Sequence, residues 1–109
     1  LAGWLVCVRG PEQGRDWRLQ EGRNDVGTTV DADVHLAEKD AQKHRYCSVI
    51  YDGKHREFLV VPGRDALVYH NGVLLTQPEP LQDGDVLGVG DEEVLLCFQS
   101  FCKKEKIYW

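Results

Sequence analysis

The chain is expected to fold as an all-β sandwich, two mostly antiparallel twisted sheets, and three observations lead there. Apolar and β-branched runs of strand length recur at roughly ten-residue intervals. Gly, Pro, Asn and Asp separate them, the residue types that reverse a backbone. No stretch carries an apolar stripe at helical spacing, so no helix has a face to bury.

The elements follow in order. Trp4-Leu5-Val6-Cys7-Val8 is mostly apolar, which suits a central strand, and Gly10-Pro11 ends it. Glu12 to Gly14 forms a turn. The stretch Gly14 to Thr28, GRDWRLQEGRNDVGT, organises what comes next. Gly14 and Gly22 sit where the chain must reverse, and Gly reaches positive φ without steric cost. Trp17 and Leu19, two apart, share one face of a second strand, Trp17 to Gln20. A short third strand ends at Val26-Gly27. Thr28 to Asp33 is loop by composition, and Val34 to Leu36 alternates as a very short strand.

Ala37 to Arg45 has nothing apolar to bury as a helix and reads as loop. Tyr46 to Tyr51 and Glu57 to Val61 form a hairpin across Asp52-Gly53, stopped by Pro62-Gly63. Leu67-Val68-Tyr69 and Val73-Leu74-Leu75 flank Asn71-Gly72, the strongest two-residue hairpin signal in the chain. Gln77-Pro78-Glu79-Pro80 is expected to hold no ladder, because two prolines lack donors. Asp83-Gly84-Asp85 turns into a strand at Val86 to Val89. Gly90-Asp91 turns again, with Glu92-Glu93 opening the last strand, Val94 to Phe98.

Length and charge bound the rest. The 109 residues suit one domain with a modest core. Residues 1–102 are assigned to the sandwich and 103–109 to a C-terminal tail ending Ile107-Tyr108-Trp109. A net charge of -5 argues against nucleic acid or an anionic membrane held by bulk electrostatics. No run is long enough to span a membrane, and the opening LAGWLVCVRG is too short and wrongly flanked for a signal peptide. The chain opens on Leu1, as a fragment or trimmed chain would. A cytoplasmic location is expected.

Of the four cysteines, Cys7, Cys47 and Cys97 lie inside apolar runs, where a reduced thiol behaves as a small hydrophobe. Cys97 and Cys102 lack CxxC spacing and a nearby His, so zinc is not expected, nor any other cofactor. The four histidines are scattered, with no nucleophile at a strained elbow and no framed carboxylate pair. Asp83 and Asp85 are accounted for by the turn they bracket. Catalysis is not expected.

The glycine punctuation resembles the forkhead-associated (FHA) domain. Gly14, Leu19, Gly22, Val26 and Gly27 fill that family's first pattern. Asn71, Gly72 and Leu75 fill the second, and Leu81, Gly84, Asp85, Leu87, Val89 and Gly90 the third. The match runs from about Trp4 to Phe98, and it implies an FHA-type sandwich of about ten or eleven strands.

The resemblance also implies phosphothreonine peptides, bound by loops at one end of the sandwich through an Arg and hydroxyl donors. Such groups suit a phosphate, which carries nearly two charges and three strong acceptors. Here the expected Arg is Thr28. The expected Ser is Ala41 if His44 is the family's His; a register one residue later puts Gln42 and Arg45 there instead. The first register keeps Cys47 and Val49 on one inward face. Pro62-Gly63-Arg64-Asp65-Ala66 stands where Ser-x-Asn-Gly-Thr is expected.

The candidate peptide- or phosphate-binding residues are therefore Thr28, Lys43, His44, Arg45, Arg64 and Asn71. His44 is expected to hold the fold by bonding loop backbone, and Asn71 to serve its turn and contact peptide backbone. Lys43, Arg45 and Arg64 are the basic residues available to replace the missing Arg. Two functions stay open. One is a degenerate FHA scaffold or assembly module that binds an unphosphorylated protein partner or another copy of itself. The other is a phosphothreonine-peptide signalling module with substituted basic contacts. The family includes phosphate-blind variants, bacterial secretion-system components among them, so the resemblance allows both; the likeness of GWLVCVRGPEQGRDWRL and FQSFC to FHA proteins of gut-type bacteria implies a bacterial source.

Overall fold

The computed structural model describes residues 2–37, 43–64 and 66–101. Ala41, Gln42, Asp65, Cys102 and the Ile107-Tyr108-Trp109 tail lie outside the described residues, as does the boundary at 102.

Eleven strands occur among the described residues: β1 (Gly3–Arg9), β2 (Asp16–Leu19), β3 (Gly22–Gly27), β4 (Val34–His35), β5 (Arg45–Asp52), β6 (Glu57–Pro62), β7 (Tyr69–His70), β8 (Val73–Leu74), β9 (Glu79–Leu81), β10 (Val86–Val89) and β11 (Val94–Ser100). They form a six-stranded sheet, β2-β1-β11-β10-β7-β8, facing a five-stranded sheet, β4-β3-β5-β6-β9. Every pairing is antiparallel except β3 with β4. β1 has a neighbour on each side, as its apolar run requires.

The core lies between the sheets and follows the period-two alternation of each strand. Leu5 and Cys7, Trp17 and Leu19, Leu87 and Val89, and Leu96 and Phe98 point inward from one sheet. Val26, Cys47, Val49, Phe58 and Val60 meet them from the other. Phe58 and Phe98 meet edge-to-face at 4.6 Å and tie the sheets together. Burial pushes the Cys47 thiol up to about 12, with the nearby Asp25 charge adding to it, so Cys47 is an inert core residue.

One buried polar side chain has its bonds completed inside this core. Asn24 Oδ1 accepts from the Gln20 amide at 2.9 Å, and its Nδ2 donates to the Gln20 carbonyl at 2.9 Å and the Val49 carbonyl at 3.1 Å. It thereby fixes the β2–β3 turn onto β5.

Several expectations shift. Glu79–Leu81 does form a strand, against the expectation from its prolines. β9 is a sheet edge with β6 as its single neighbour, so the donor that Pro80 lacks is not needed on its open side. The strand expected at Leu67 starts instead at Tyr69, although Val68 is buried and its carbonyl accepts from the Leu75 amide at 2.8 Å. Glu92-Glu93 belongs to a turn rather than to a strand: Gly90, Asp91 and Glu92 have φ of 60°, 58° and 63°. The Asn71-Gly72 turn has φ of 52° and 82°, the type I′ geometry that matches strand twist.

Candidate functional site

The registers bring the ends of β3, β5 and β6 together: Gly27 is opposite Arg45, and Cys47 is opposite Pro62. The segments after β3, before β5 and after β6 therefore share one end of the sandwich.

Two glycines make that meeting possible. A Cβ on Gly27 would stand 2.3 Å from the His44 carbonyl oxygen, and one on Gly63 would stand 2.1 Å from the Arg45 carbonyl oxygen. Side chains are excluded at both places, and the start of β5 is clasped between the two loops. The clasp is hydrogen-bonded. The Thr28 amide donates to the His44 carbonyl at 2.9 Å, and the Gly63 amide donates to the Tyr46 carbonyl at 2.8 Å. The His44 amide in turn donates to Thr28 Oγ1 at 2.9 Å.

Thr28, Lys43, His44, Arg45 and Arg64 thus gather on adjoining segments, but they differ in what they offer. Thr28 is only 3% exposed, and its hydroxyl oxygen accepts from the neighbouring loop. Arg45 Nη2 pairs with Asp31 Oδ2 at 3.2 Å, both side chains being largely exposed. The Thr29 hydroxyl, the Asp31 backbone and the Arg45 charge hold Asp31 below the ordinary carboxylate range. Lys43 and Arg64 are exposed. Among the described residues it is the His44 main chain that bonds the neighbouring loop, donating to Thr28 Oγ1 and accepting from the Thr28 amide. Its ring stacks on Tyr46 at 5.6 Å, and Nδ1 is buried without a hydrogen-bond partner.

Asn71 lies elsewhere. β7 runs antiparallel to β10, with Tyr69 opposite Gly88 and His70 opposite Leu87, so the β7–β8 turn points toward Val86, away from the loop end. There Asn71 Oδ1 accepts from the Val86 amide at 2.8 Å, and its Nδ2 donates to Asp85 at 3.2 Å. These bonds fasten its own turn.

Beside it is a cluster that the sequence reading did not anticipate. His70 Nδ1 meets Glu79 Oε1 at 2.7 Å and His70 Nε2 meets Asp85 Oδ2 at 2.8 Å, joining β7 to β9 across the two sheets. Asp85 therefore does more than bracket a turn. These residues are 9 and 15 positions from His70, with no local pattern linking them. Burial alone would lower the His70 pKa, but the hydrogen bonds and charges of Glu79 and Asp85 outweigh it and raise it.

A raised folded pKa places this contribution fully on the acid side of His70's ordinary value, about 6.5, and removes it as pH rises through the folded value. His70→Ala is expected to cost about 1–2 kcal/mol near pH 6 and progressively less toward pH 9. Urea unfolding of both proteins across that range checks it, and a cost that grows with pH would refute the assignment. Among the described residues no group of three His, Cys, Asp or Glu side chains is placed to hold a metal ion.

No family model and no curated protein matches the chain; its likeness is to solved structures. It is similar to an FHA domain of an Arabidopsis thaliana hypothetical protein, with 22% identity and a TM-score of 0.77, over 94% of this chain and 87% of that one. An FHA domain from an analysis of phosphothreonine-dependent interactions is 24% identical with a TM-score of 0.73, over 94% and 100% of the two chains. The cytoplasmic domain of PscD, a T3SS sorting platform protein of P. aeruginosa, is 18% identical with a TM-score of 0.72, over 94% and 83%. At such identities the shared property is the fold, and the fold is the FHA-type β-sandwich.

Proposed function

We propose that this domain is a non-catalytic protein-interaction module whose loop end does not read phosphothreonine and instead serves scaffolding or assembly. The observation that carries this reading is Thr28. At the position where the resemblance places a phosphate-binding Arg, the side chain is buried and its hydroxyl oxygen is committed to the His44 amide. A hydroxyl held inside the fold offers an incoming phosphate neither charge nor reach.

The surroundings support the same reading. Asp31 puts a carboxylate beside Arg45, so a phosphate dianion would meet repulsion and have to displace that pair. Val30 and Leu67, on the loops after β3 and β6, are 88% and 56% exposed and offer apolar contact instead. The solved neighbours include an FHA domain from phosphothreonine-dependent interactions and a domain of a T3SS sorting platform protein.

The phosphopeptide reading is favoured by one feature: the exposed Asp31–Arg45 pair is worth about 0–1 kcal/mol, so breaking it costs little, and Lys43 and Arg64 are exposed on adjoining segments. Alanine at both Lys43 and Arg64 separates the two. On the assembly reading the double variant binds peptide pools as the parent does, within about twofold. A phosphate clamp built from these residues would weaken by about 1.5–3 kcal/mol per lost charged bond, seen as a drop of tenfold or more in calorimetry.

A further inference from the structure

Two open sheets have four edges between them, and β2 differs from the other three. β4 and β8 are two residues long, and β9 carries Pro80, which has no donor to offer a further strand. β2 is four residues long, has no proline, and has β1 as its single neighbour. The hydrogen bonds fix which of its groups face outward. The Cys7 amide donates to the Arg15 carbonyl at 2.8 Å and the Ala2 amide to the Leu19 carbonyl at 2.7 Å. Antiparallel pairs alternate, so Arg15, Trp17 and Leu19 turn their main chain to β1, and Asp16 and Arg18 turn theirs to the open side.

The side chains alternate as well. Trp17 and Leu19 are buried, while Asp16 and Arg18 are exposed on the outer face of the sheet. Among the described residues neither of these two charges has a hydrogen bond or an ion pair. Their opposite signs make the edge complementary to itself. In an antiparallel pairing of two β2 strands centred on Trp17, Asp16 is opposite the partner's Arg18, and Arg18 is opposite the partner's Asp16. Both pairs join main chain that already faces outward, so each can exchange its two amide–carbonyl bonds. A shift of two residues either way sets Asp16 against Asp16 or Arg18 against Arg18, and like charges directly opposite repel. Gln20 ends the ladder, because its amide and carbonyl are taken by Asn24.

We propose that β2 pairs with β2 of a second copy across a two-fold axis at Trp17, so that the six-stranded sheet continues from one copy into the next and Asp16 and Arg18 find their partners there. Such a contact is isologous: the same edge serves both copies, and the assembly closes at a dimer. A ladder this short makes a weak, exchanging interface. It uses no residue of the loop end, so it and the proposed function fail separately.

Sedimentation velocity of the full chain over a concentration series tests it, with Asp16→Arg and Arg18→Asp as exposed substitutions that leave the core alone. By symmetry each turns both attractive pairs repulsive, and each is expected to weaken association about fivefold or more. An equimolar mixture of the two variants is expected to associate again, since every opposed pair in the mixed dimer has opposite signs. That recovery also shows that both variants are folded. In the parent, the Asp16 and Arg18 amides are expected to gain protection from exchange as concentration rises. A chain that stays monomeric to millimolar concentration, association unchanged by either substitution, or variants that stay apart when mixed would overturn the proposal.

Discussion

Gly27→Val is expected to lower the unfolding free energy by about 3 kcal/mol and to undo the clasp on β5. The reason is a distance. Even the first carbon of a side chain would fall 2.3 Å from the His44 carbonyl oxygen, inside any allowed contact. That carbonyl accepts from Thr28, and the next amide bond runs back from His44 to Thr28 Oγ1. Relieving the clash means pulling β5 from β3 and leaving buried polar groups unpaired, on top of the usual overpacking cost of about 1–3 kcal/mol. Urea unfolding followed by tryptophan fluorescence measures the loss, and amide exchange at Thr28 and His44 localises it. Gly14→Ala is the comparison. No atom lies near its Cβ position, so its cost is conformational, about 1 kcal/mol for an alanine at φ 95°. Equal losses at the two sites would mean that close approach is not what Gly27 provides.

Asn24→Ala is expected to cost a similar amount, about 3 kcal/mol, for a different reason. The backbone stays, but the Gln20 amide and the Gln20 and Val49 carbonyls all lose a partner at once. Asn24 is 3% exposed, so water does not readily replace the side chain, and each buried group left unmade costs about 1–3 kcal/mol. Asn24→Asp should also destabilise, since a carboxylate in that place faces two carbonyl oxygens. The same unfolding measurement applies, and a loss below about 1 kcal/mol in Asn24→Ala would show that the turn does not depend on it.

Asn24 also marks where the sequence is opaque. Between Arg23 and Asp25 it reads as one more polar residue of a short strand, and only the fold reveals that it faces inward. By contrast, Trp17 with Leu19 and Cys47 with Val49 were legible, because strand alternation states which side chains share a face, and β1 was legible as a central strand from its apolar run. The turns at Gly14, Gly22 and Asn71-Gly72 were legible too, since positive φ restricts the residue types that can stand there. Pro80 misled because the rule that proline breaks a ladder applies to strands with two neighbours, and edge position is a tertiary property. His70, Glu79 and Asp85 were invisible as a group because two strands and a turn that are separate in sequence assemble them. At the candidate site the sequence identified the absent Arg at Thr28, while the inward turn of the Thr28 hydroxyl and the Asp31–Arg45 pair needed coordinates.

The most direct test of a phosphate-blind loop end is a calorimetric titration with a degenerate phosphothreonine peptide pool and its unphosphorylated twin, with amide shifts recorded alongside. The expected result is no difference between the pools, whether neither binds or both bind equally, with Thr28 and His44 unmoved by the phosphate. Selective binding of the phosphorylated pool, with shifts at Lys43, Arg45 and Arg64, would contradict it and make those three residues a rebuilt phosphate site.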